Sequence, residues 1–309
     1  MKVMRLLILA LSLMLVSGCT DFLDRGHSKK KQVSILLIGS SHGMNTIAHV
    51  PQILRDAPVE PVIGNMYQGS LTLDQVAGYI SDQTPVAAWF KVFEEGKWNN
   101  IEGFNISDIL KYRKWDYIIV QRAAHEDETW NEEQQKSFSV ILEHISSVCG
   151  YPHVVLFNSG FAFPSMKRQV AEQREETEEH TRTILASADS MRAQFNIDYI
   201  PVASSIQNAR NTFLTGFGSF ELHQLASDDQ HLDYGIGSYV ASYTVCEFIL
   251  RREGYHDLTL WNYATIPEMN TFFTSVSAGN YSGMTVDNLE MARKCAADAV
   301  NGHERPTTE

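Results

Sequence analysis

The sequence has few cysteines, and this shortage excludes one class of protein at the outset. Four cysteines occur in 309 residues, and no two of them form a Cys-x-x-Cys pair. Apart from Cys19, near the start of the chain, only Cys149, Cys246 and Cys295 are present. An odd number leaves at least one thiol unpaired, so the fold does not depend on a disulfide framework. The missing Cys-x-x-Cys pairs also argue against a metal site built on cysteine.

Positive charge is scarce as well. The sequence has 25 Lys and Arg residues against 37 Asp and Glu, which gives a formal net charge of -12. This balance disfavours nucleic acid as a partner and offers no electrostatic attraction to anionic lipid. Internal repeats and low-complexity tracts are also missing. The apolar share of 44% and the aromatic share of 10% are typical of a globular protein of enzyme size.

Only one long apolar run is present, over residues 6–16, and it follows the basic residues Lys2 and Arg5. It falls short of the roughly 20 apolar residues that cross a membrane, and it has the form of a signal peptide. The small residues before Cys19 resemble the lipobox of bacterial lipoproteins, although an ordinary secretory signal is the alternative. The resemblance implies cleavage before Cys19 and lipid attachment to it, which holds a protein stably at a membrane.

Three segments follow from this interpretation. We expect a lipoprotein signal peptide over residues 1–18, a polar tether over 19–32, and a single domain over 33–309. The chain would then lie in the bacterial cell envelope, on the periplasmic or the cell-surface side, with the membrane as a partner through its N-terminal lipid. About 280 residues remain for the domain, enough for one large α/β core.

Short apolar runs alternate with helical patterns along this domain, which predicts a three-layer α/β/α fold with a mainly parallel sheet. Five strands are predicted, at 33–38, 59–67, 116–121, 153–158 and 197–201. A small hairpin is predicted over 87–103, around Glu95-Gly96. Helices are predicted at 46–56, 71–80, 107–112 with Ser107 as N-cap, 131–148, 166–195, 234–252 and 287–300, whereas Ser40–Asn45 is predicted to be a turn.

The carboxyl ends of parallel strands meet at one edge of a sheet, where ligands bind. Ser41 follows the first strand, and His231 lies three residues after Asp228 in a loop before a helix. A serine nucleophile needs a base and a group that orients the base, so we predict Ser41, His231 and Asp228 as these three. Ser40 is the alternative nucleophile and Asp229 the alternative carboxylate.

An ordered set of motifs then resembles the SGNH (GDSL-type) hydrolase superfamily. Gly39-Ser40-Ser41 is similar to its first block, Gly69 to its second-block glycine, and Asp228-x-x-His231 to its fifth block. Longer stretches, at 36–41, 115–121, 206–210 and 231–237, resemble an exported bacterial branch of that superfamily. The chain departs from the pattern at Ser40, where aspartate is usual, at His42, where a large apolar residue is usual, and at Gln121, where asparagine is usual.

The resemblance implies a flavodoxin-like architecture and a serine esterase without metal or organic cofactor. The oxyanion would be bound by the backbone N–H groups of Ser41 and Gly69 and by the side-chain amide of Gln121. The predicted substrate is a small ester, with an O-acetyl ester on a glycan as the leading choice by analogy. The alternative is a non-catalytic, carbohydrate-binding surface lipoprotein on the same fold; a purely structural envelope lipoprotein is a third.

Three further side chains are possible substrate contacts: His42, His125 and Arg210. For His42, a plain exposed position is the alternative. His125 belongs to the charged segment 122–128, which we interpret as a solvated loop and not as a metal site, because its spacing fits no known ligand set. For Arg210 the alternative is a structural ion pair.

Overall fold

The computed structural model describes residues 30–55, 57–86, 89–165, 170–219, 223–255 and 283–302. The predicted signal peptide, Cys19 and most of the predicted tether therefore lie outside the described residues. Within the described part of the chain, no helix is both long enough and apolar enough to cross a membrane.

Seven strands of the described residues form one sheet in the order β4-β3-β2-β1-β5-β6-β7. Strands β1, β5, β6 and β7 are parallel neighbours, whereas β3 pairs antiparallel with β2 and with β4. Their bounds are β1 Lys31–Gly39, β2 Val59–Tyr67, β3 Trp89–Glu94, β4 Lys97–Ile101, β5 Tyr117–Gln121, β6 Val154–Asn158 and β7 Tyr199–Ile200. The predicted hairpin is confirmed, and it extends the predicted sheet by two antiparallel strands.

Helices cover both faces of the sheet. Their bounds are α1 Ser41–Ile47, α2 Val50–Arg55, α3 Leu73–Asp82, α4 Ile106–Lys111, α5 Glu132–Val148, α6 Val170–Phe195, α7 Val202–Arg210, α8 Ile236–Arg252 and α9 Val286–Val300. Two short 3₁₀ helices lie at Ala124–Glu126 and Phe213–Gly216.

Strand β1 shows why the layers form. Its side chains alternate between faces, so Ile35 and Leu37 enter a core with α1, α2, α7, α8 and α9. Leu36 and Ile38 enter a second core with α3, α4, α5 and part of α6. A strand buried on both sides has this continuous apolar run, and the predicted three-layer α/β/α fold is confirmed.

Two local predictions are wrong, and one helix was missed. The segment predicted as a turn, Ser40–Asn45, is already helical from Ser41. Helix α4 is capped by Asn105, whose side chain accepts the N–H of Asp108, and Ser107 lies inside the helix. Helix α7 was not predicted: the predicted strand ends at residue 201, and no element is predicted for the segment after it.

Candidate active site

The turn between β1 and α1 carries the predicted nucleophile. Ser41 is the first residue of α1 and is half-buried, whereas Ser40 occupies the N-cap position without capping the helix. The hydroxyl of Ser40 is buried and has no hydrogen-bond partner in the described part of the chain. Ser41 is therefore the serine of this turn with an accessible side chain.

Two glycines allow this turn to pack closely against Gln121. A Cβ at Gly39 would lie 2.9 Å from Oε1 of Gln121, and a Cβ at Gly43 would lie 2.7 Å from the same atom. Gln121 is the last residue of β5, and both polar atoms of its side chain are buried without a partner among the described residues. The amide hydrogens of Gln121 are therefore not used by any described residue.

The loop after β2 lies beside the same turn. The backbone N–H of Gln68 donates to the carbonyl of Gly39 at 3.2 Å. Gly69 follows and is exposed, and its own N–H has no partner within the described residues. The loops after β1, β2 and β5 thus meet at one edge, where three of the predicted site residues lie.

The loop before α8 carries the predicted base. Nδ1 of His231 lies 3.0 and 2.9 Å from the two carboxylate oxygens of Asp228. Oδ1 of Asp228 also accepts the backbone N–H of Gln230 at 2.8 Å and that of His231 at 2.7 Å. Because the carboxylate accepts the Nδ1 proton, Nε2 is left as the free acceptor of a neutral imidazole. Asp229 makes no side-chain contact of this kind among the described residues.

Three side chains of α1 and the segment after it hold this loop against the nucleophile turn. Nε2 of His42 lies 2.7 Å from the carbonyl of Gln230, Nδ2 of Asn45 lies 3.2 Å from that of Leu232, and Nε2 of His49 lies 2.9 Å from that of Tyr234. The three donor residues are three and four positions apart, a spacing that is typical of one face of a helix. The three acceptor residues are two positions apart, a spacing that is typical of one edge of an extended chain. We call these three bonds the donor ladder.

The donor ladder brings the predicted base near the predicted nucleophile. The ring of His42, directly after Ser41, stands edge-on to the ring of His231 with centroids 6.4 Å apart. Within the described residues, no hydrogen bond joins the hydroxyl of Ser41 to His231. The residue directly after Ser41 thus lies beside His231, and the hydroxyl of Ser41 and the imidazole of His231 are not hydrogen-bonded to each other in this structure.

His42 is a buried residue, 1% exposed. Its ring stacks on Phe161 at a centroid distance of 4.0 Å, and the ring of Phe163 meets it edge-on at 5.9 Å. Nδ1 lies 3.6 Å from Oδ2 of Asp127. The exposed position that was the alternative for His42 is thus wrong.

The segment 122–128, which was interpreted as a solvated loop, is only partly exposed to solvent. His125 is exposed, and with Glu126 and Thr72 it lines a polar surface cleft of about 330 Å³. Arg122 and Asp127, by contrast, are fully buried, with Nε of Arg122 3.5 Å from Oδ1 of Asp127. Burial raises the pKa of Asp127, although its contact with His42 and the charge of Arg122 act against the rise.

Arg210 is also buried, and no acidic side chain within the described residues pairs with it, so the ion-pair alternative is wrong. Nε donates to the carbonyl of Gln224 at 3.0 Å and Nη2 to that of Ala162 at 2.7 Å. Burial lowers its pKa to about 9. The guanidinium joins the loop after β6 to the loop that leads to Asp228.

The residues that sequence reasoning missed are Asp127, Asn45 and His49. The spacing of His42, Asn45 and His49 by three and four positions was a signal that could have indicated a shared polar partner. No local signal distinguishes Asp127 from its exposed neighbours. Among the described residues, no group of three or more His, Cys, Asp and Glu side chains could hold a metal ion.

Comparisons with known proteins agree with this fold. No curated protein matches the chain. A crystal structure of a DUF4886 family protein from Bacteroides uniformis superposes with a TM-score of 0.68 at 22% identity, covering 88% of this chain and 95% of that chain.

Two more distant structures each cover about seven tenths of this chain. A protein from Slackia heliotrinireducens, provisionally classed as an SGNH hydrolase, has 14% identity and a TM-score of 0.46, covering 70% of this chain and 98% of that chain. A member of the lipolytic G-D-S-L family from Veillonella parvula has 9% identity and a TM-score of 0.41, covering 71% of this chain and 99% of that chain. The family model described as "Domain of unknown function (DUF4886)" matches residues 34–259, and the chain therefore belongs to the DUF4886 family.

Proposed function

We propose that this protein is a serine esterase of the SGNH class that hydrolyses a small ester through Ser41, His231 and Asp228. The observation that carries the proposal is the contact of His231 Nδ1 with the Asp228 carboxylate, in a loop bonded to the helix that begins at Ser41. A paired carboxylate and imidazole beside an accessible serine hydroxyl form the arrangement that activates a serine nucleophile.

The reaction has two steps. Nε2 of His231 takes the proton of the Ser41 hydroxyl, and Oγ attacks the ester carbonyl carbon. The tetrahedral intermediate then expels the alcohol, which receives the proton from His231, and an acyl group stays on Ser41. Water activated by His231 hydrolyses this acyl-enzyme in the same way. Asp228 stays ionised throughout and stabilises the imidazolium.

The negative charge of the intermediate needs donors. The backbone N–H groups of Ser41 and Gly69 and the amide of Gln121 are the proposed ones. The free N–H of Gly69 and the unpartnered amide of Gln121 support this role, because neither group is satisfied within the described part of the protein. Removing one such donor typically lowers kcat by about a hundredfold to a thousandfold.

We further propose that the substrate is an O-acetyl ester on a carbohydrate and that the protein acts in the bacterial cell envelope, anchored by lipid on Cys19. The substrate class depends on analogy with SGNH enzymes at bacterial surfaces. Acetate release from acetylated glycans, compared with the same glycans after chemical deacetylation, tests the substrate. Incorporation of radioactive palmitate into the wild type and into Cys19→Ala tests the anchor.

The test of the catalytic proposal is the hydrolysis of p-nitrophenyl acetate by the purified full-length chain. Ser41→Ala and His231→Ala should each lower kcat by about a thousandfold or more. A Ser40→Ala variant is the matched control, and it should keep its activity within a few fold. Reaction of Ser41 with a fluorophosphonate probe, read by mass spectrometry, is the second measurement. An inert Ser41 in both assays would favour the carbohydrate-binding alternative.

A further inference from the structure

His42 is a buried polar side chain of the site that the proposed reaction does not use. It directly follows Ser41 in the sequence, and three groups surround its ring. Phe161 stacks on one face, Asp127 lies 3.6 Å from Nδ1, and the carbonyl of Gln230 lies 2.7 Å from Nε2. Because a carbonyl oxygen only accepts, Nε2 must carry a hydrogen in this contact.

The bonded carbonyl belongs to a peptide group that matters for the site. The same peptide unit joins Gln230 to His231, so its oxygen is bound by His42 while its N–H donates to Oδ1 of Asp228 at 2.7 Å. A peptide unit is planar, and holding both its oxygen and its hydrogen fixes the orientation of the plane. The Cα of His231 lies in that plane, so the point from which its side chain starts is fixed, while the contact of Nδ1 with Asp228 orients the ring itself.

We propose that His42 is a positioning residue, which fixes the His231 imidazole relative to Ser41 by holding the peptide group between Gln230 and His231. The inference rests on the proposed function. The stacking of Phe161 on the ring of His42 and the position of Asp127 3.6 Å from Nδ1 limit the room in which the ring can turn. The other two bonds of the donor ladder hold Leu232 and Tyr234, beyond His231, and leave this peptide group to His42.

The size of the expected effect follows from geometry. A misplacement of a catalytic group by about 1 Å can lower a rate by about a hundredfold. His42→Ala should therefore lower kcat for p-nitrophenyl acetate by about 10-fold to 100-fold and slow fluorophosphonate labelling of Ser41 to a similar extent. KM should change by less than about threefold, because His42 acts through His231.

Two further variants separate positioning from a loss of stability. His42→Gln keeps an N–H donor that can reach the carbonyl of Gln230, so it should recover part of kcat. Ile249→Ala removes a fully buried side chain of α8 outside the site. It should lower the melting temperature as His42→Ala does and leave kcat within about twofold.

The outcomes are distinguishable. If the wild type is active and His42→Ala has the wild-type kcat, the positioning proposal is overturned and the proposed function stands. The proposal also fails if Ile249→Ala loses as much kcat as His42→Ala at equal loss of stability, or if His42→Gln recovers nothing. If the wild type neither hydrolyses the ester nor reacts with the probe, both proposals are overturned together.

Discussion

Asp228 binds His231 at two points: Oδ2 lies 2.9 Å from the ring Nδ1, and Oδ1 accepts the backbone N–H of the same residue at 2.7 Å. The carboxylate therefore fixes both the tautomer and the main chain of the proposed base. Asp229 is adjacent in sequence and shares neither contact.

The two aspartates provide a matched pair of variants. Asp228→Asn should lower kcat by about a thousandfold or more, because an amide nitrogen at this position favours the wrong imidazole tautomer. Asp229→Asn changes the charge of the loop equally and should leave kcat within about threefold. Steady-state kinetics of both variants checks this, and equal losses in the two would contradict the assignment.

A substitution at Gln121 should affect activity and stability differently. Gln121→Met keeps the length of the side chain and removes the amide, so kcat should fall about a hundredfold or more if the amide binds the oxyanion. A buried amide without partners costs about 1–3 kcal/mol, so the free energy of unfolding should stay unchanged or rise. Kinetics and urea denaturation measure the two effects, and an unchanged kcat would remove Gln121 from the oxyanion site.

Gly160 should not tolerate a side chain. Its φ is +75°, and a Cβ there would lie 2.0 Å from Oδ2 of Asp127. Gly160→Ala should lower the free energy of unfolding by about 2 kcal/mol or more through backbone strain and overlap. Gly150→Ala is the control, because nothing lies within 4 Å of its added Cβ. Denaturation curves compare them, and equal stability would contradict the packing of Asp127 described above.

His49 should make stability depend on pH. Burial lowers its pKa to about 4 from an ordinary value of 6.5, despite its bond to the Tyr234 carbonyl. Between these two pH values the unfolded chain binds a proton that the folded chain does not bind, so this contribution to stability is lost as pH falls from about 6.5 to 4. The loss is of the order of 3 kcal/mol.

The check is the difference in unfolding free energy between wild type and His49→Gln, measured across this pH range. The variant cannot bind the proton, so its disadvantage relative to the wild type should shrink as pH falls. A difference that does not vary with pH would show that His49 does not titrate as stated.

The layers could be predicted because they depend on local patterns. The apolar run of β1 and the helical spacing of apolar residues in the segments between strands can both be recognised from neighbouring residues in the sequence. The helix after β7 was missed because its segment, Val202–Arg210, is short, and a short segment gives only a weak local pattern. It packs against the neighbouring helices α6, α8 and α9, which are distant contacts that a local pattern does not show.

By itself, the sequence determined the order of the strands and of most helices, the place of Ser41 after β1, and the three-residue spacing that lets Asp228 reach His231. These are short-range consequences of side-chain periodicity and chain geometry. Only the tertiary structure decided that Asp127 is buried while His125 is exposed, and that His42 meets the carbonyl of Gln230, 188 residues away in the sequence. The reason is physical: the burial and partner of a polar side chain depend on which distant segment packs over it, and no local pattern encodes that.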